Sequence, residues 1–248
     1  MNKKYELTKE TKTLADGTVL HRIRALRDIP RHGVEAGELG GWAEKESNLS
    51  QKDGDAWVSS NAMVFDDAIV SGNAWVFGNA IVSGNATVCG DAKVYSNAWV
   101  FGNAEVSDNA TVCGNAKVYG NAKVCGNAKV CGNAKVFDDA WVSDNAAVYG
   151  DATVYDNVEV YGNAEVCGNA EVINFQDYAV HKNSWSSGRW FTYTRSNKMW
   201  KVGCFCGTGE ELVKKAYADS ELSGKCYEAI VRAQEAIDKA IADAKEAK

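Results

Sequence analysis

From Ala56 onward the apolar positions of this chain recur every six residues. Read in sixes, the sequence runs AWVSSN, AMVFDD, AIVSGN, AWVFGN, AIVSGN, ATVCGD, AKVYSN and on to AEVCGN and AEVINF. Twenty hexads follow one another from Ala56 to Phe175 without insertion or deletion. Position one is Ala except at Val158, position three is Val throughout, and position six is Asn or Asp in the first 19. A fixed period held this long predicts a repeat fold, because each unit buries its apolar face only against its neighbours. Valine is β-branched and suits a short extended segment facing inward. Alanine at position one also faces inward, where a narrow coil leaves little room. Positions five and six, usually Gly-Asn or Asp-Asn, tolerate the left-handed backbone of a corner. Three hexads then close one triangular coil, and twenty give between six and seven coils. At about 4.8 Å per coil the rod is roughly 30 Å long. Disorder would not keep valine in register. A nine-residue calcium-binding repeat would need Gly-Gly pairs and a fixed Asp, and neither occurs.

The flanks read as closures for the two ends. Residues 1–55 predict an N-terminal β cap: 4–30 carry alternating segments around Asp16-Gly17, a hairpin signal, and 31–55 feed into the first coil. Residues 176–248 predict a strand-plus-helix cap. Tyr178–Phe205, rich in Trp, Tyr, Phe and Thr, reads as two or three strands. Thr208-Gly209-Glu210-Glu211 is a capping box that opens a helix. A second helix starts near Lys225. Its larger positions, Tyr227, Ile230, Gln234, Ile237, Ile241 and Ala244, alternate steps of three and four. That spacing fits a trimerising coiled-coil seam, and equally a helix lying on its own cap.

The hexad resembles the aliphatic-centred repeat of hexapeptide left-handed parallel β-helix proteins, a family with many acyltransferases. The resemblance implies an all-β solenoid of that hand and, as in such proteins, a parallel homotrimer with ligands in the grooves between rods. The chain as a whole also resembles a group of small phage and prophage proteins of bacteria. The residues behind this are Gly40-Gly41-Trp42, Glu46-Ser47-Asn48-Leu49-Ser50, and Trp200-Lys201-Val202-Gly203-Cys204-Phe205-Cys206-Gly207-Thr208. It implies fold and setting, the cytoplasm of an infected or lysogenic bacterium, more than activity.

Composition narrows the function. Net charge is -6, which gives no general attraction to DNA or RNA. No run of about 18 apolar residues spans a membrane, and no signal peptide is visible. Acyltransferases of this family carry a histidine base on a coil or an excursion loop, since the attacking hydroxyl or amine must lose a proton. Here the three histidines, His21, His32 and His181, all lie outside the coils, so no catalytic residue and no cofactor is assigned. Cys89, Cys113, Cys125, Cys131 and Cys167 all occupy position four, interchanging with Ser, Tyr and Phe. Without a C-x-x-C pair or a histidine partner they read as free thiols rather than metal ligands. Cys204 and Cys206, like His181, have no role legible in the sequence.

Sorting hexads by threes separates three faces. One carries Phe65, Ser83, Phe101, Tyr119, Phe137 and Tyr155 at position four, with Met63, Ile81, Trp99, Lys117, Lys135 and Thr153 at position two. Outward aromatics beside lysines suit a phosphate with an attached base, or a subunit interface, or a solvated strip. The first candidate site is therefore Trp99, Phe101, Lys117, Tyr119, Lys135 and Phe137. A second is Arg189, Trp190, Arg195, Lys198 and Trp200 on the cap strands, where arginine can grip phosphate bidentately. The leading expectation is a non-catalytic oligomeric binding protein, sequestering a small anionic, nucleotide-like signal or blocking a host defence protein. A structural rod and an unusual acyltransferase are the alternatives.

Overall fold

The computed structural model describes residues 3–52 and 54–246; the outermost cap residues 1–2 and 247–248 lie outside the described residues. Three N-terminal strands, β1 (Tyr5–Thr13), β2 (Val19–Ala25) and β3 (Leu39–Ala43), precede twenty two-residue strands, one per hexad. These run from β4 (Trp57–Val58) to β23 (Glu171–Val172). Each pairs in parallel with the strand one coil away, as Trp99 does with Ile81 and Lys117, and the strands sort into three sheets forming a prism. The molecule is thus an all-β solenoid of stacked parallel coils with a cap at each end.

Its core is almost monotonous. Every Ala or Val at positions one and three is at most 2% exposed. The corner forms as the residue types require: in the first 19 hexads position five has positive φ, whether it is Gly120 (+71°) or Asp108 (+56°). Where Asp takes that place, its carboxylate can accept a backbone N–H of the next coil, as Asp108 does from Gly126 at 3.0 Å. Position six adds a side-chain ladder, Asn61 to Asn79, Asn97, Asn115, Asn133 and Asp151, with links of 2.9–3.3 Å.

A parallel stack leaves one unpaired edge at each end, and both caps satisfy it. At the start, Trp42, Glu44 and Ser50 donate backbone N–H bonds to Ala62, Val64 and Val70. Part of a further coil is therefore built from residues before Ala56. Gly40 makes this possible, since a Cβ there would sit 2.7 Å from the Trp57 ring. Trp57, an outward position in the repeat, is consequently fully buried. Asn48 is buried too and donates to the Asp66 and Ala68 carbonyls. At the other end, the N–H groups of Glu165 and Glu171 have no coil beyond them. Thr192 and Ser196 hydroxyls accept them, each at 2.8 Å.

The C-terminal cap holds four antiparallel strands: β24 (Tyr178–Lys182), β25 (Trp190–Thr194) and β26 (Met199–Val202), the three that the aromatic-rich segment allows, and a fourth, β27 (Phe205–Thr208), that runs on to the helix cap. Thr208 caps α1 (Gly209–Asp219) through the capping box with Glu211. Then α2 (Glu221–Glu246) begins four residues earlier than its spacing suggests and packs Tyr227, Ile230 and Val231 against Phe191, Trp200 and Leu212. Gln234 is buried as well, so the first half of the predicted seam is turned into its own cap. Ile237 remains 47% exposed. No helix among the described residues is long and apolar enough to cross a membrane.

Candidate functional site

The repeat places all six residues of the first candidate set on one face. Trp99, Lys117 and Lys135 occupy position two of three consecutive coils and are in register. Beside them Phe101, Tyr119, Phe137 and Tyr155 stack ring on ring at 4.8–5.0 Å, within 5° of parallel. Trp99 leans on Phe101 at 4.6 Å and 40°, closing the near end of the stack. Its indole N–H points to the Ser83 hydroxyl at 3.4 Å. The same partnership recurs wherever an outward Trp follows a small position-four residue sixteen places earlier: Trp75 with Ser59, and Trp141 with Cys125. Position four is thus less interchangeable than its composition suggests, and the sixteen-residue spacing was there to be read.

The geometry changes what the rings offer. Inside the ladder each ring face is covered by its neighbour, so no base can stack between them. What faces solvent is a row of ring edges, the electropositive rim of the aromatic quadrupole. Lys117 lies over the Trp99 ring at 5.5 Å, and both Lys117 and Lys135 are exposed. Neither lysine has an ion pair among the described residues, although they are direct neighbours across the ladder. Like charges so placed repel by about 1 kcal/mol in water. Burial pushes the Tyr119 hydroxyl upward, leaving it a protonated donor at neutral pH.

The second candidate set is divided. Arg195, Lys198 and Trp200 border a cleft of about 710 Å³ between the cap sheet and α2. Arg189 and Trp190 do not: Arg189 lies beside Gly203, and Trp190 under Lys182 in a separate hollow with Tyr161 and Phe175. In the cleft the Arg195 guanidinium is already engaged, donating to Asp238 at 3.1 Å and to the Gln176 carbonyl. Asp238 also accepts from Tyr193 and Gln234. Burial opposes ionisation of Asp238, but these hydrogen bonds outweigh it and hold the carboxyl below its usual range. An incoming phosphate would have to compete with that carboxylate for Arg195. Trp200 is 2% exposed and belongs to the cap core.

Two features escaped the sequence reading. His32, though outside the coils, stacks on Trp75 at 5.0 Å on a second face of the rod. Burial holds its imidazole below the usual value, against the opposing pull of Asp55, and Arg31 beside it pairs with Asp91 at 2.7 Å. Cys206 meets Cys167 across the junction of cap and rod, sulfur to sulfur at 2.7 Å. Among the described residues, no group of three or more His, Cys, Asp or Glu is placed to hold a metal ion. No known family model matches the chain, and no curated protein matches it.

Proposed function

We propose that this chain is a non-catalytic binding protein, a left-handed hexapeptide rod working as a parallel trimer, that holds a small anionic, nucleotide-like molecule on its lysine and aromatic face. The setting we favour is a phage-infected or lysogenic bacterium, where sequestering such a signal would disarm a host response. One observation carries the reading: Lys117 and Lys135 stand in register, without ion-pair partners among the described residues, beside a continuous row of ring edges. A dianion bridging the two ammonium groups would relieve their repulsion, and the flat part of the ligand would lie along the ring edges. Enclosure between rods would strengthen each lysine–phosphate contact relative to open water. The cap cleft is the weaker site, because Arg195 is bound to Asp238. The two closed ends weigh against a self-propagating fibre, the main structural alternative.

The test is a thermal-shift screen with nucleotides, cyclic nucleotides and acyl-coenzyme A, repeated on Lys117→Ala/Lys135→Ala and on Arg189→Ala/Arg195→Ala. The expected result is ligand-induced stabilisation of the parent and of the arginine variant, lost in the lysine variant. Loss only in the arginine variant would move the site to the cap. If no anion stabilises the parent, the small-molecule reading falls and a host protein becomes the favoured target.

A further inference from the structure

We propose that Cys167 and Cys206 form a reversible disulfide that staples the C-terminal cap to the last coil of the rod. Of the eight cysteines, these two are the pair brought together from different parts of the fold, 39 residues apart in sequence. Cys167 is a position-four side chain of the final coil and is 2% exposed, whereas Cys206 lies on β27 and is exposed. Their sulfurs are at 2.7 Å. The local frame is held independently of the thiols: Asn197 donates to the Cys167 carbonyl at 3.3 Å, and Lys201, the cross-strand partner of Cys206, lies 3.7 Å from Glu165. Closing the bond would ask for little backbone movement.

Cys113 and Cys131 provide the contrast. They sit one coil apart on the same face as Cys167, at equivalent places in adjacent parallel coils. Their thiols hydrogen-bond to each other, yet side chains in such a ladder run side by side, with their Cβ atoms about 4.8 Å apart. A disulfide wants Cβ atoms about 3.8 Å apart and turned toward each other. Proximity within the repeat therefore does not make a bridge, and the cap must supply the second thiol from outside it.

The two partners have different chemical parts. Burial pushes the Cys167 thiol up to about 12, with Cys206 adding to the shift, so at neutral pH it is protonated and shielded. Cys206 is the thiol an oxidant meets first. With oxidised glutathione as the oxidant, the Cys206 thiolate attacks one sulfur, the glutathione disulfide breaks, and one glutathione thiolate leaves. The Cys167 sulfur then attacks Cys206 and expels the second glutathione, whose departing thiolate takes up the Cys167 proton. Two protein thiols are oxidised by two electrons and one glutathione disulfide becomes two thiols. Lys201 and the Tyr149 hydroxyl favour the Cys167 thiolate needed for the second step.

The experiment treats reduced full-length protein with oxidised glutathione, quenches with acid and maps the peptides by mass spectrometry. The parent should give a Cys167–Cys206 linked peptide, while Cys113 and Cys131 remain unlinked to each other. Cys167→Ser should instead retain glutathione on Cys206, because the resolving thiol is gone. If that variant does not fold, Cys206→Ser serves, since its change lies at an exposed position; it should leave Cys167 unmodified. Hydrogen exchange across residues 190–208 should slow about tenfold or more in the oxidised parent, as a cross-link restraining local opening requires. It should recover on adding dithiothreitol and stay unchanged in Cys206→Ser. Absence of the linked peptide after complete reaction would overturn the pair. A linked peptide with unaltered exchange would overturn the staple.

Discussion

At the scale of single residues, the repeat separates neighbours into opposite worlds. Val118 is fully buried in the prism, while Lys117, one position earlier, is exposed. Val118→Asp places a carboxylate among alanines and valines with no partner and no route to water, and should cost about 4 kcal/mol or more. Lys117→Ala removes a charge that faces Lys135 across the ladder, so its effect on folding should stay within about 0.5 kcal/mol, with stabilisation the favoured sign. Urea unfolding of both variants checks this. Equal losses would mean that the inward and outward positions are misassigned.

At the scale of the hexad, stability lies in how one corner sits on the next. Gly120 and Gly162 both occupy left-handed corners, at φ +71° and +68°. A Cβ on Gly120 would lie 2.7 Å from the backbone nitrogen of Asp138 in the next coil, whereas one on Gly162 meets nothing within 4 Å. Gly162→Ala should therefore cost only the left-handed strain, about 1–2 kcal/mol. Gly120→Ala adds a displaced coil and should cost distinctly more. Equal melting temperatures for the two would show that coil contact adds nothing. The same reasoning explains what the sequence made legible. Ala, Val and Gly-Asn repeat because every coil poses the same steric problem, so period alone reveals strands, faces and corners. The caps pose a different problem at each end. Gly40, Asn48, Thr192 and Ser196 answer it with contacts across tens of residues, and no local pattern encodes those. Trp57 shows the limit well, being outward by its position in the hexad and buried by the cap. For the candidate site, register was readable and ring orientation was not. The rings present edges because stacking along the rod covers their faces, a consequence of coil spacing rather than of residue type.

At the scale of the molecule, the question is what covers the apolar strips. Ile69 and Trp141 on one face, and Leu222 and Ile237 on α2, remain 42–61% exposed. A face roughly 30 Å long and five residues wide offers about 500 Å². A stable interface takes about 800 Å² from each partner. One face against one face is therefore too small. In the proposed parallel trimer each protomer meets two neighbours, and the exposed second half of α2 adds to the area. Light scattering should then give about three times 26.8 kDa at micromolar concentration. Ile237→Asp tells the contributions apart. With Tyr227, Ile230 and Gln234 already committed to the cap, only the distal part of the helix is free to pair, so this change should weaken assembly without lowering the melting temperature of the rod. A trimer indifferent to Ile237→Asp would assign assembly to the rod faces alone. A parent that remains monomeric would remove the groove between rods, and the lysines would then have to bind their anion on an open face, with water screening each contact.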